Sequence, residues 1–171
     1  MTQEVYQAAL GRTKTSKGRL QLQKPNFIRW ETHEPDTNIL VSNGSKLWYF
    51  TPAIDPKGKG QAIERKASSL NQQAIYRILT GTAAFDKEFS LLKQDKKGDL
   101  TELVLRPLKT MGETKEVKLS VNKNSEITEI LLKNSGENTT RIRLLNTKLG
   151  GKFPPNLFDF KPPPGTEILK E

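Results

Sequence analysis

Apolar residues alternate with polar ones along most of the chain. In Arg19-Leu-Gln-Leu-Gln-Lys24 the two leucines, Leu20 and Leu22, fall on one side and the polar residues on the other. Val117, Leu119 and Val121 repeat the pattern, as do Ile142 and Leu144. A period of two marks strands with one dry face and one wet face. Turn chemistry separates these runs at short intervals. Asn43-Gly44, between 38–42 and 46–51, predicts a two-residue hairpin of type I′, which needs positive φ at both central residues. Lys97-Gly98, Lys123-Asn124 and Ser135-Gly136 punctuate later hairpins.

About ten or eleven strands result, over 2–10, 19–24, 27–32, 38–42, 46–51, 61–66, 89–94, 100–106, 115–121, 126–132 and 139–145. Short connections make this an up-and-down meander. A sheet of so many strands twists until it curls, so the expected fold is mainly β, an incomplete and strongly curved antiparallel barrel.

One segment breaks the period. Between Ser69 and Thr80, residues Leu70, Ala74, Ile75, Ile78 and Leu79 lie on one helical stripe, with Ser68 or Ser69 to cap it and Gly81 to close it. A further helical turn is expected over 82–88, giving an inserted helical lid over roughly 69–88. Its apolar stripe has to be buried against the sheet, across the mouth or interior of the half-barrel. The stretches 52–60 and 150–165, rich in proline and glycine, read as irregular, with Phe158-Asp-Phe160 a short strand at best. The whole chain, 1–171, reads as a single domain.

Composition narrows the function classes. Only 34% of the 171 residues are apolar, which suits an antiparallel sheet with one wet face better than a sheet covered on both sides. The absence of cysteine excludes disulfides, thiolate metal sites and thiol catalysis, and one histidine, His33, excludes a multi-histidine metal cluster. No apolar run approaches the ~18 residues of a membrane-spanning helix, and no secretory signal precedes the first strand. With 28 basic and 19 acidic residues the net charge is +9. Arg12, Lys14, Lys17, Arg19, Lys24 and Arg29 supply six of those charges in an acid-free stretch between Glu4 and Glu31. Arg12, Lys14 and Lys17 are expected in the loop between the first two strands, as a rim for an acidic protein face or anionic headgroups.

Catalysis finds no footing. His33 sits beside Glu34-Pro35-Asp36 in a turn, and there is no Glu-x-x-His, Walker loop, dinucleotide fingerprint or nucleophile elbow. Neither a catalytic set nor a metal or cofactor site is expected. Tyr6, Phe27 and Trp30 interleave with basic residues, yet no recognition helix or ribonucleoprotein motif accompanies them, so nucleic acid is not the expected partner.

A longer series of residues is more specific. Lys24-Pro-Asn-Phe-Ile-Arg-Trp30 is followed by Glu34-Pro35, then Ile39-Leu-Val-Ser-Asn-Gly44 and Lys46-Leu-Trp-Tyr-Phe50. Leu105-Arg-Pro107 and, near the end, Leu157-Phe-Asp-Phe-Lys-Pro-Pro-Pro-Gly165 complete it. In order and spacing this closely resembles the LolA family of periplasmic lipoprotein carriers. The resemblance implies an incomplete barrel whose apolar interior, closed by a helical lid, holds the acyl chains of lipoproteins. It also implies loading by an inner-membrane ABC transporter and delivery to an outer-membrane receptor of LolB type. Ile28 and Trp30 map to the acyl-facing wall, with Leu20, Leu22 and Trp48 as companions and Ile75, Ile78 and Leu79 facing them from the lid. Lys24 occupies the place of a basic residue, usually arginine, that latches the lid through its backbone. Lysine keeps the charge and loses the planar fork of donors.

That family places a helix before its first strand, whereas here Met1 stands almost at the strand. The resemblance then implies a cavity left open, or plugged through a domain-swapped dimer. A LolB-like acceptor, another lipid-binding or sensor module of the same fold, and a sheet-based nucleic-acid binder stay open as alternatives.

Overall fold

The computed structural model describes residues 1–55, 57–154 and 156–171. Among the described residues twelve strands form: β1 (Thr2–Gln7), β2 (Arg12–Gln23), β3 (Phe27–Glu34), β4 (Asn38–Asn43), β5 (Lys46–Thr51), β6 (Gln61–Lys66), β7 (Phe89–Lys97), β8 (Leu100–Pro107), β9 (Thr114–Asn122), β10 (Ile127–Asn134), β11 (Thr139–Arg143) and β12 (Glu167–Lys170). Helices α1 (Ala74–Leu79) and α2 (Phe85–Glu88) and the 3₁₀ turns Ala8–Leu10 and Ala67–Gln72 complete the set. The strands follow the hydrogen-bonded order β12-β6-β5-β4-β3-β2-β1-β11-β10-β9-β8-β7, which does not close on itself. The expected mainly β fold with an unclosed sheet is therefore present.

Three boundaries differ from expectation. The first strand stops at Gln7, because a 3₁₀ turn and Gly11, at φ 57°, reverse the chain. The second strand begins at Arg12, so Arg12, Lys14 and Lys17 stand on β2 itself and not in a loop. At the Asn43-Gly44 hairpin the turn slips by one residue. Ser42 pairs with Leu47 and only Gly44 has positive φ, so Gly44-Ser45 is central. Asn43 instead accepts the Ser45 and Lys46 amides through its side chain, an Asx-type turn.

The residues group into two compact units, each described by itself. One comprises 1–16, 73–75 and 83–148; the other 17–72, 76–82 and 149–171. In the first, cross-strand register places Ile142, Ile130, Leu119 and Leu103 in one row and Thr140, Leu132, Val117 and Leu105 in the next. Ile142, Ile130, Leu119 and Val117 are fully or almost fully buried. The opposite face is a mesh of ion pairs, in which Arg143 bridges Glu4 and Glu129 while Lys97 meets Glu102. These exposed pairs keep the wet face soluble and add little stability.

In the second unit, β2 to β6 form an antiparallel run and β12 adds to β6 in parallel. A bulge at Lys17/Gly18 brings β3 so close that a Cβ on Gly18 would fall 1.9 Å from the Glu31 carbonyl oxygen. Only glycine fits there.

The helix expected over 69–80 is broken into a 3₁₀ turn and the six-residue α1, and the further helical turn expected over 82–88 lies at α2, Phe85–Glu88. Ser69 donates its hydroxyl to the Lys66 carbonyl instead of capping a helix, and Ala67–Gln72 winds as 3₁₀. Helix α1 then runs six residues and stops in a Schellman motif, in which Gly81 N–H bonds to Ile78 O and Thr82 N–H to Arg77 O. Gly81 supplies the left-handed φ, +68°, that this motif requires.

Candidate functional site

Side chains directly opposite each other in antiparallel strands share a face, so register decides which predicted residues meet. In the second unit Leu22, Ile28, Ser42 and Leu47 form one row across β2 to β5. Leu20, Trp30, Leu40, Tyr49 and Ile63 form the next, across β2 to β6. Leu20, Leu22, Ile28 and Trp30 are thus brought together on one apolar face. Helix residues cover part of it. Tyr76 meets Trp30 edge-on, with ring centroids 6.4 Å apart at 74°, and Leu70, Ile78 and Leu79 are buried. Coverage is incomplete. Ile28 is 0% exposed, whereas Leu20 and Leu22 are half-buried and Tyr49 is 41% exposed. Tyr76 was not singled out by the helical stripe; its phenol is held above its ordinary pKa by burial, with Tyr49 adding to the shift.

Trp48 does not join this set. It stands opposite Val41, itself opposite Arg29, and so faces the other side of the sheet. There it packs on Phe160, 6.0 Å between centroids, with the Lys46 ammonium 5.9 Å from its own ring. Parity explains the correction, since Trp48 is an odd step from Leu47 and Tyr49. The same back face is covered by the C-terminal segment. Phe158 inserts between Phe27 and Phe153, Phe160 lies on Phe50, and Arg29, paired to Glu31, donates to the Leu157 carbonyl. The aromatic pair of Phe158-Asp-Phe160 is therefore not a strand but a plug on the back of the sheet.

Lys24 reaches the end of α1. A methyl group on Gly81 would fall 2.2 Å from Lys24 Cε and 3.0 Å from its Nζ, so the lysine stem lies across the glycine that ends α1. Among the described residues no hydrogen bond runs from this ammonium to a carbonyl of α1. The contact is one of packing, consistent with the loss of an arginine's fork of donors. Of the three rim residues, Lys17 is engaged by Glu34 at 2.9 Å, which raises the lysine pKa and lowers that of the glutamate. Arg12 and Lys14 are exposed on β2.

Ile75 belongs to the first unit. It lines a cavity of about 420 Å³ together with Ala74, Met111, Leu132 and Thr140, within the size range of small-ligand sites. The alternation did not single out Met111, which sits in no strand, or Thr140, a polar position on the alternating strand β11. Among the described residues no group of three or more His, Cys, Asp or Glu is arranged to hold a metal ion. Among the described residues no helix is long and apolar enough to cross a membrane.

Comparison with known proteins agrees with the series of motifs. The family described as "Outer membrane lipoprotein carrier protein LolA" matches residues 1–161. The outer-membrane lipoprotein carrier protein of Francisella philomiragia is 32% identical over 159 residues, covering 92% of this chain and 73% of that protein. Its counterpart in Chromobacterium violaceum is 26% identical over 162 residues, 93% of this chain and 74% of that one. A crystal structure of a LolA superfamily protein from Nitrosomonas europaea covers 92% of this chain and 87% of its own, at 15% identity and a TM-score of 0.46. Matched by its family over residues 1–161 of 171, the chain belongs to the LolA family of outer membrane lipoprotein carrier proteins.

Proposed function

We propose that the protein is a periplasmic carrier that shelters the acyl chains of lipoproteins and shuttles them from the inner to the outer membrane. In this reading it is loaded by an inner-membrane ABC transporter and unloaded onto a receptor of LolB type. Family membership and the names of the relatives support the carrier role. The observation that carries the reading is the incompletely covered apolar face, with Leu20 and Leu22 half-exposed beside buried Ile28 and Trp30 under a short helix. A packed core would close over those leucines.

Each CH₂ moved from water to such a face gains about 0.8 kcal/mol, so one long acyl chain gains on the order of 10 kcal/mol. At that rate two chains reach, and three exceed, the practical limit of about 18–21 kcal/mol for non-covalent binding, beyond which release is too slow to be useful. A lid that opens at some cost lowers the net affinity. The Lys24 stem over Gly81 is suited to that role, because parting a lysine from a glycine exposes little apolar surface. Native mass spectrometry of the purified protein tests the reading. Co-purified lipid, displaced by a fluorescent fatty acid that quenches Trp30, is expected; absence of both lipid and fatty-acid binding refutes it. Lys24→Leu is expected to change the retention and hand-over rates of the fatty acid, and unchanged rates remove Lys24 from the role of latch.

A further inference from the structure

Strand β2 is longer than the strand beside it. Its pairing with β3 runs from Gln23 opposite Phe27 to Lys17 opposite Glu34, where β3 ends. Residues Arg12–Ser16 continue past that last pair. They have β1 on one side and, among the described residues, no strand on the other. This stretch spans about 17 Å, and on its vacant side the sheet offers a ladder that no strand of the chain takes up. Arg12, Thr13, Lys14 and Thr15 are all exposed. Successive side chains of a strand point to opposite faces, so both faces of the stretch are open to solvent.

Its composition is that of a strand held extended without a core. Arg12-Thr-Lys-Thr-Ser16 has two cations, three hydroxyls and no acid, and β-branched threonine favours extended backbone. The neighbour β1 brings one carboxylate, Glu4, which Arg143 holds at 2.7 Å. The border strand β7 treats its lysines differently. There Lys93 pairs with Asp95 and Lys97 with Glu102, and a bulge between Leu91 and Lys93 interrupts the ladder. Bulges and edge charges of that kind turn added strands away. At Arg12–Ser16 the pairing is free of a bulge and the charge has one sign only. A second copy of this stretch would set cation against cation across the new pair, and like charges directly opposite are destabilising. A strand bearing carboxylates would gain cross-strand pairs of opposite charge and the vacant ladder together.

We propose that β2 at Arg12–Ser16 is a docking edge, on which an extended acidic segment of a partner protein adds as a strand. The backbone ladder supplies affinity, and Arg12 and Lys14 supply the preference for acid. The inference does not rest on cargo binding, and its failure leaves the carrier reading standing.

The probe is a capped, dye-labelled heptapeptide of alternating glutamate and valine, followed by fluorescence anisotropy. Wild type is expected to bind it, and to bind several-fold more weakly as salt rises to the physiological range. The same peptide with every amide nitrogen methylated keeps its carboxylates and loses its donors, and should bind about tenfold more weakly. Arg12→Glu with Lys14→Glu, both at exposed positions, should reverse the preference, rejecting the glutamate peptide and accepting its lysine counterpart. Because the chain has no cysteine, Thr13→Cys supplies a single thiol, which is expected to form a disulfide with a cysteine-bearing version of the probe where Lys96→Cys on β7 does not. Equal binding of the methylated peptide, an unchanged preference in the double variant, or trapping at β7 in place of β2 overturns the proposal. Binding of phosphatidylglycerol vesicles or DNA without binding of the peptide also overturns it, in favour of a surface that reads charge alone.

Discussion

Substituting Gly81 by alanine probes the contact between the end of α1 and Lys24 most directly. Gly81 holds φ +68°, in the left-handed region, and closes α1 through the Ile78 carbonyl. An L-residue there costs about 1–2 kcal/mol in backbone strain alone. The new methyl would also fall 2.2 Å from Lys24 Cε, against the ~3.5–4.0 Å at which two carbons rest. The lysine stem is long and exposed, so it swings aside by about 1.5 Å at modest cost. The strain therefore falls on the end of the helix. A destabilisation of about 1–2 kcal/mol shifts the equilibrium between docked and undocked helix by roughly 5- to 30-fold. Amide hydrogen exchange of residues 76–80 reads that shift, and the release rate of a bound fluorescent fatty acid reads its effect on cargo. Lys24→Ala in the same chain removes the steric part, so K24A/G81A should recover some of the lost protection. The reasoning fails if Gly81→Ala leaves exchange and release unchanged. A double-mutant cycle with no coupling would show that Lys24 and Gly81 do not touch.

Other perturbations reach different parts of the molecule. Gly18→Ala forces a Cβ into the Glu31 backbone, which cannot move aside as a side chain can, and a loss of about 2–4 kcal/mol is expected in urea unfolding. Phe158→Ala empties the slot between Phe27 and Phe153 and should cost about 3–5 kcal/mol, lowering Tm by several degrees, while Phe158→Leu restores most of it. Because the Tyr76 phenol is raised, the unfolded chain ionises first. Its contribution is fully present below the ordinary tyrosine value of 10.0 and is lost as pH rises through the raised folded pKa, so Tyr76→Phe should flatten the alkaline limb of the stability curve.

Period-two alternation made most of the sheet legible, since strands such as β9 and β10 carry their burial directly in sequence. Legibility ended where parity did. The first half of β2, Arg12-Thr-Lys-Thr-Ser-Lys-Gly18, carries no apolar side chain, so alternation leaves no trace there and Arg12 and Lys14 read as loop. In β5 every second residue is apolar on both faces, Leu47 and Tyr49 on one and Trp48 and Phe50 on the other. Alternation alone therefore could not say which face Trp48 occupies; that is settled by its register against Val41. The residues Leu20, Leu22, Ile28 and Trp30 were found because their strands are regular. Tyr76 and Met111 were missed because a six-residue helix and an isolated loop contact leave no periodic trace. The segmentation of the helical stretch is likewise a matter of local bonds, Ser69 to Lys66 and Gly81 to Ile78, that compete with a helical pattern without altering it.

The parallel strand β12 has a practical consequence. The family match stops at residue 161, whereas β12, at Glu167–Lys170, lies past it and caps the otherwise unpaired border of β6. Glu171 extends the cap through its amide to Glu64 O and its carboxylate to Arg65. Unpaired sheet borders invite other chains to add to them. Trimming this protein to the matched residues, or hanging a purification tag from its last residue, therefore interferes with a guard against self-association. Preparations intended to measure cargo binding are better tagged elsewhere.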